Sequence, residues 1–218
     1  NNFIMKKRKK LVFICSGKSF YEIYPIINSI KNEYIITAIY DDDKKYYKKK
    51  IFDIPIKIGI ENARKEKNSL FVFGIGSYNN RIQRSQIFKK LDIKKEFFPN
   101  IIDPTSKIAK NSKLGYGNII YPYSIICSNS KVDDFCHLTY STIIAHNVRI
   151  GSFTLIGSRS SILNNSKLSK NVFIGASVTI GENLKIDSKS SILFGSVVIR
   201  DCDKGKTYFG NPAELIKI

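Results

Sequence analysis

The chain has 218 residues, of which 43% are hydrophobic, so it can bury one or two cores and is not a disordered tail. Residues 1–100 hold 22 Lys/Arg against 10 Asp/Glu, a net +12, and residues 101–218 hold 14 against 8, a net +6, which together give +18. This charge favours anionic partners such as nucleic acid, acidic membranes or phosphorylated metabolites, and a lysine-rich genome composition would explain it equally well.

The cysteine pattern and the apolar runs narrow the class of protein. Cys15, Cys127, Cys136 and Cys202 form no CxxC pair, which argues against a disulfide framework and a zinc ribbon and favours reduced thiols. No apolar run approaches the roughly 20 residues of a membrane helix, and the start NNFIMKKRKK has no signal-peptide core. We therefore expect a cytoplasmic protein without a transmembrane segment.

The first half alternates short β-branched runs with amphipathic segments. In chain order the pattern predicts a strand at 11–15, a turn at 16–20, a helix at 21–32, strands at 34–40 and 70–76, and a helix at 79–91. Strands that are apolar throughout and separated by helices are typical of a parallel sheet. We therefore predict an α/β, Rossmann-like domain over residues 1–98, with its ligands at the carboxyl ends of the strands.

The second half follows a period of six. Every sixth residue from Ile102 is aliphatic: Ile102, Ile108, Leu114, Ile120, Ile126, Val132, Leu138, Ile144, Ile150, Ile156, Ile162, Leu168, Ile174, Ile180, Ile186, Ile192 and Val198. Four residues later the side chain is usually small: Ser106, Ser112, Ser124, Ser130, Thr142, Thr154, Ser160, Ser166, Ser190 and Ser196. An α-helix would spread such residues around its surface, whereas a three-sided β-solenoid needs one inward aliphatic per side. The repeat predicts a solenoid from about 101 to 200.

The unbroken hexads, the ending GSVVIRDCDKGKTYFGNPAELI and the preceding α/β unit together resemble the hexapeptide-repeat sugar acyltransferases. The closest likeness is to the group with sialic acid O-acetyltransferases and UDP-4-amino-sugar N-acetyltransferases. The resemblance implies that residues 99–218 form a left-handed parallel β-helix, an acyltransferase domain with a C-terminal tail. It also implies a homotrimer with acyl-CoA, most simply acetyl-CoA, in the groove between adjacent solenoids, and no metal.

The same resemblance implies a catalytic base. The segment IIAHNVRIG matches the part of the family in which a histidine and an acidic residue precede Ile-Gly, so His146 is expected to be the general base. A neutral imidazole titrates in the range needed to take a proton from an attacking amine or hydroxyl. The chain departs from the family at Asn147, which is expected to take the catalytic position of the acidic residue, and at Leu155, where many members carry a second histidine. His137 is expected to be structural.

Other segments match the family's binding sites. For the acyl donor, the resemblance implies these residues, with the backbone of Asn164 facing the thioester oxygen: Asn164, Gly175, Ala176, Phe194, Gly195, Gly210 and Pro212. For the nucleotide-sugar acceptor it implies the turn after the first strand, the acidic pair after the second and a phosphate-side cluster after the next: Ser16, Gly17, Lys18, Asp41, Asp42, Lys44, Gly76, Asn79 and Arg81. The turn CSGKS is not a Walker loop, because Val12 stands where the first glycine belongs.

These features predict a transferase that acylates an amino group of a nucleotide-linked sugar in surface glycan biosynthesis. Acylation of a sugar hydroxyl, as in the sialic acid O-acetyltransferases, is the alternative within the family. A γ-type carbonic anhydrase needs three histidine ligands and the chain has two. A nucleic-acid binder lacks the expected aromatic, zinc-finger or helix-turn-helix motif. A catalytically impaired scaffold protein stays open because of Asn147 and Leu155.

Overall fold

A computed structural model describes residues 8–30, 33–46, 48–76 and 83–217. The first part is a five-stranded sheet with the strand order β3-β4-β2-β1-β5. Its strands are β1 (Lys9–Ile14), β2 (Tyr34–Asp41), β3 (Lys50–Ile51), β4 (Ile54–Ile58) and β5 (Leu70–Phe73). Strands β1, β2, β4 and β5 pair in parallel, and only the short β3 is antiparallel. The predicted parallel α/β arrangement is therefore present.

The two helices begin at different residues from those predicted. Helix α1 (Lys18–Ser29) starts within the predicted turn at 16–20, because its buried stripe begins at Phe20 and continues through Ile23 and Ile27. Helix α2 is Arg84–Leu91, shorter than the predicted 79–91, and residues 79–82 lie outside the described residues. No helix of the described ranges is long and apolar enough to cross a membrane.

The second part is a column of 18-residue coils built from two-residue parallel strands, as in Ile125↔Ile143. It has three sides, which we name for the α/β sheet packed on the first, the exposed Ile125 and Ile143 of the second, and the five Lys or Arg side chains of the third. The junction face comprises β6 (Ile101–Ile102), β9 (Ile119–Ile120), β12 (His137–Leu138), β15 (Leu155–Ile156), β18 (Phe173–Ile174) and β21 (Ser191–Ile192). The apolar face comprises β7 (Lys107–Ile108), β10 (Ile125–Ile126), β13 (Ile143–Ile144), β16 (Ser161–Ile162), β19 (Thr179–Ile180) and β22 (Val197–Val198). The basic face comprises β8 (Lys113–Leu114), β11 (Lys131–Val132), β14 (Arg149–Ile150), β17 (Lys167–Leu168) and β20 (Lys185–Ile186).

The six-residue period accounts for the interior of the column. The second residue of each strand points inward, and those from Ile120 to Val198 are buried in one continuous cluster. Most of the small residues predicted four positions later place hydroxyl groups against turn carbonyls of the next coil, and the others bond within their own turn, as Thr142 does with Thr139. Ser130 Oγ donates to the oxygen of Ala145 at 2.6 Å, and Ser160 Oγ donates to that of Gly175 at 2.8 Å. Each buried carbonyl of this kind thereby gains a partner. The predicted solenoid is confirmed.

The α/β sheet packs on the junction face. Phe73 of β5, Phe88 of α2 and Phe135 of the column form part of one aromatic cluster, with ring centroids 4.2 Å apart between Phe88 and Phe135. After the last coil, β23 (Thr207–Gly210) and β24 (Ala213–Ile216) form an antiparallel hairpin that extends the junction face. All four cysteines are free. Burial raises the pKa of the Cys136 thiol to about 12, which makes it unreactive.

Candidate active site

The predicted acceptor residues at the ends of β1 and β2 come together. The backbone N–H and the Oγ of Ser16 both donate to Asp41 Oδ2, at 2.6 and 2.7 Å, and the N–H of Asp43 donates to Asp41 Oδ1 at 2.8 Å. Ser16 and Asp41 are buried. The carboxylate of Asp41 therefore holds the two loops together, and its hydrogen-bonding capacity is directed toward the protein.

The other predicted acceptor residues at the ends of β1 and β2 are more exposed to solvent. Gly17 precedes α1, and Lys18, Asp42 and Lys44 are exposed. Asp42 Oδ1 accepts a hydrogen bond from the N–H of Ile60 at 2.8 Å, which leaves its second oxygen available. A helix N-terminus beside lysine ammonium groups attracts phosphate, and a free carboxylate oxygen can accept from a ribose hydroxyl or a base. The edge therefore has the chemistry to hold a nucleotide.

Gly76 lies against the column, where its small size has a packing reason. A Cβ at Gly76 would lie 2.6 Å from Nδ1 of His137. His137 is fully buried on the junction face, as expected for a structural residue. Its pKa is held well below 6.5, first by burial and then by the charge of Arg84. Asn79 and Arg81, predicted to complete this cluster, lie outside the described residues.

Arg84, at the start of α2, is fully buried in the junction. Its guanidinium donates to the carbonyl oxygens of Phe153 and Phe135 at 2.9 and 2.8 Å. Burial lowers the pKa of Arg84 to about 10, so the side chain is still charged at neutral pH. The sequence signal for this residue is weak, because an arginine inside a basic amphipathic helix resembles its exposed neighbours Lys89 and Lys90.

His146 lies in the turn between β13 and β14 and is exposed. Its backbone N–H donates to Asn164 Oδ1 at 3.1 Å, and Asn164 Nδ2 donates to Glu182 Oε1 at 2.8 Å in the next coil. Within the described residues, the imidazole ring makes no hydrogen bond. A solvent-accessible imidazole at the edge of the column is free to meet a substrate proton. The side chain of Asn164, rather than its backbone alone, is thus part of this corner.

Asn147 lies at the same corner, and its side chain makes no hydrogen bond to the ring of His146. It has a φ of +60°, a conformation that recurs every six residues from Gly117 to Gly195 and that asparagine tolerates well. Its Nδ2 donates to Asn165 Oδ1 at 3.1 Å, and Asn165 Nδ2 donates to Asn183 Oδ1 at 3.1 Å. The predicted catalytic role of Asn147 has no supporting contact, whereas its place in this stack gives it a structural role.

Apart from Asn164, which lies at the corner of His146, the predicted donor residues lie near the corner between the junction face and the apolar face. A Cβ at Gly175 would lie 2.5 Å from the backbone nitrogen of Phe194, so the spacing between coils alone requires glycine there. Phe194 and Phe209 are exposed and contact edge to face, with centroids 5.7 Å apart. The N–H of Gly210 donates to Ser196 Oγ at 3.2 Å. Gly195 and Pro212 lie in the same region, and Ala176 lies exposed beside Gly175.

His146 and this donor corner lie on opposite edges of the apolar face. The turn with His146 follows β13, whereas the turns with Ala176 and Phe194 precede β19 and β22. Between them, Ile125 and Ile143 are 40% and 39% exposed on the outside of the column. A single chain therefore brings the predicted base next to Asn164 but not to the other predicted donor residues.

No family model and no curated protein sequence matches the chain. Solved structures do. A perosamine N-acetyltransferase variant from Caulobacter crescentus, in complex with CoA and GDP-perosamine, is 17% identical over 96% of this chain and 97% of that one, with a TM-score of 0.85. The acetyltransferase domain of PglB from Neisseria gonorrhoeae, in complex with acetyl coenzyme A, is 17% identical over 96% and 100%, with a TM-score of 0.83.

WeeI from Acinetobacter baumannii is 18% identical over 94% of this chain and 99% of that one, with a TM-score of 0.80. These matches include both the α/β sheet and the column, since each covers nearly the whole chain. At such identities they establish the fold. The resemblance to hexapeptide-repeat sugar acyltransferases is confirmed at that level: the chain has the fold of these acetyltransferase structures.

Proposed function

We propose that the protein transfers the acetyl group of acetyl-CoA to an amino group of a nucleotide-linked sugar. The observation that carries this proposal is the match of both parts of the chain to structures solved with CoA and GDP-perosamine, at a TM-score of 0.85. The amino group is favoured over a hydroxyl because one of these structures is a perosamine N-acetyltransferase. The product is an N-acetylated nucleotide sugar for surface glycan assembly.

The finer features of the fold belong to the same proposal. Residues 1–98 form a Rossmann-like domain, and residues 99–218 form a left-handed β-helix with a C-terminal tail. The last buried residue before the column is Phe98, and the first strand of the column begins at Ile101, which supports the division. The shared fold with the acetyltransferase structures supports the handedness.

The acceptor binds at the carboxyl ends of β1 and β2. The buried pair Ser16 and Asp41 fixes the loops, so that Asp42 faces the nucleoside and Gly17, Lys18 and Lys44 face the diphosphate. Hydrogen bonds to charged oxygens are stronger than neutral ones, which suits a diphosphate. The predicted phosphate contacts of Asn79 and Arg81 belong to this part of the proposal.

The donor binds between two copies of the chain in a homotrimer. Ala176, Phe194 and Gly195 of one copy line the pantetheine arm, and His146 of the next copy approaches the thioester. The exposed Ile125 and Ile143 on the intervening face support contact between copies, because exposed apolar patches mark interfaces. Such an arrangement brings together two corners that a single column holds apart.

The reaction is an attack of the neutral amine on the thioester carbonyl carbon. His146 takes a proton from the attacking nitrogen, and the backbone near Asn164 stabilises the negative oxygen of the tetrahedral intermediate. The intermediate collapses with loss of the CoA thiolate, which is then protonated. The products are an N-acetyl sugar and free CoA.

The test is a screen of amino-sugar and neutral-sugar nucleotides with acetyl-CoA, read by mass spectrometry. Acetylation of an amino-sugar nucleotide, with release of CoA, supports the proposal. Acetylation only of hydroxyl groups would replace it with the O-acetyltransferase alternative. Stabilisation by neither acetyl-CoA nor any nucleotide sugar in a thermal-shift assay would contradict an enzyme of this kind, because a ligand that binds the folded state raises its stability.

A further inference from the structure

Five cations are stacked in register along one side of the column. The outward residues of the basic face pair as Lys113↔Lys131, Lys131↔Arg149, Arg149↔Lys167 and Lys167↔Lys185. All are exposed. We call these five residues the basic ladder. Neighbouring strands lie about 4.8 Å apart, so the ladder is a straight row of charges about 19 Å long.

Composition does not account for this row. The twelve outward positions of the junction and apolar faces carry one lysine, Lys107, whereas all five of the basic face are Lys or Arg. Like charges directly opposite each other on neighbouring strands destabilise a sheet. Within the described part of the chain, Lys131 is the one ladder residue that forms an ion pair, with Asp133 at 2.8 Å. The repulsion along the row is relieved most directly by an anion that lies across several rungs.

A second row runs beside the basic ladder at the corner that precedes it. This asparagine ladder consists of Asn111, Asn129, Asn147, Asn165 and Asn183, all exposed and 18 residues apart. The Oδ1 atoms of Asn129, Asn165 and Asn183 each accept from the amide of the preceding coil. Each of these bonds uses one N–H and one oxygen lone pair, so the corner keeps further amide N–H donors and carbonyl acceptors for a ligand. Both rows together offer donors and positive charge.

An open, shallow groove runs along the two rows. One concavity of about 470 Å³ is lined by residues from Asn111 to Arg149, and an adjoining one of about 590 Å³ by residues from Asn147 to Lys185. Asn147 and Arg149 line both, so the groove runs along the column axis. A one-dimensional row of evenly spaced charges fits an extended polymer better than a flat bilayer.

The outward side chains of the groove favour an acidic glycan over a single-stranded nucleic acid. Proteins that bind single-stranded nucleic acid combine a basic groove with aromatic stacking platforms. Among the five strands of the basic face, all within the described chain, no outward residue is aromatic. We propose that the basic face binds a linear acidic glycan, with its anionic groups along the basic ladder and its hydroxyl groups against the asparagine ladder.

A direct binding assay tests this proposal without turnover. The probe is oligogalacturonate, which carries a carboxylate on every sugar, titrated into the full-length protein at low salt. The double variant Lys113→Glu/Lys167→Glu should bind at least about tenfold more weakly, because two attractive contacts become repulsive. Both substitutions place a carboxylate opposite cations, so the variant should fold at least as well as the parent.

The matched control is Lys89→Glu/Lys90→Glu, which changes the net charge equally at exposed positions of α2. Unchanged binding by this control supports the assignment to the basic face. An equal loss of oligogalacturonate binding in both variants would show that binding depends on net charge alone, and this would overturn the assignment to the basic face. Stronger binding of phosphatidylserine vesicles or single-stranded DNA, lost in the same variant, would assign the face to a different partner. Displacement of the oligosaccharide by acetyl-CoA would make the ladder part of the donor site.

Discussion

The column and the α/β sheet position their candidate site residues in different ways. In the column, the inward residues set the backbone, and the corner residues are attached to it: Ile144 is fully buried, whereas His146, two positions later, is exposed. In the sheet, a single residue can set the backbone and also belong to the site. The buried Asp41 lies in the predicted acceptor site and its carboxylate holds the two loops together. Substitutions at the corners should therefore separate activity from stability, whereas those at the sheet edge should not.

The sharpest test of this separation is His146→Ala. If His146 is the general base, kcat/KM should fall by about 10^2 to 10^4, with an unchanged thermal midpoint. The matched control is Lys110→Ala, which changes the same turn position two coils earlier. Steady-state kinetics and thermal unfolding of both variants measure the difference. A loss below about threefold for His146→Ala would remove the residue from the mechanism.

A neighbouring pair in β13 tests the column itself. Ile144→Ala should lower the free energy of unfolding by about 2–5 kcal/mol, because it leaves a cavity in the continuous core. Ile143→Ala, on the outside of the same strand, should change it by less than about 1 kcal/mol in the monomer. Urea unfolding at fixed protein concentration gives both values. Ile143→Asp should instead shift the oligomer toward monomer in analytical ultracentrifugation, and an unchanged trimer would place the contact between copies elsewhere.

The sequence specifies the column well because each coil repeats a local rule. The predicted aliphatic positions are buried from Ile120 onward, and Ile102, Ile108 and Leu114 are less so because the first coil has a neighbour on one side only. Contacts between distant segments are not encoded in this way. Arg84 reaches Phe153, 69 residues away, and the close approach of His137 leaves no room for a side chain at Gly76. The residues of the basic ladder are 18 apart in the sequence. Their alignment on one side becomes apparent only when the strands are assigned to the three sides of the column.

The junction between the two regions should respond to acid through His137. Its pKa is about 6.5 when unfolded and well below that when folded, because burial and the charge of Arg84 oppose protonation. The unfolded state therefore binds the proton first, so stability is complete above about pH 6.5 and falls as the pH drops toward the folded pKa. Thermal midpoints measured from pH 7.5 to 5 should show this fall. His137→Leu introduces the residue type of Leu155, the paired position in the next coil. This variant should lose the part of the acid-induced fall in thermal midpoint that His137 causes.

The smallest effect is expected at Asn147, where a structural role and a catalytic one give different outcomes. Asn147→Ala removes the hydrogen bond to Asn165 and places alanine at a φ of +60°, so the free energy of unfolding should fall by about 1–2 kcal/mol. Asn147→Gly loses the same hydrogen bond without the backbone strain and should cost less. Neither should change kcat/KM by more than about threefold if the side chain only holds the turn. A large loss of kcat in Asn147→Gly, with stability retained, would show that the amide acts on the substrate or on His146. The corner would then resemble the sheet edge, with one residue serving both structure and chemistry.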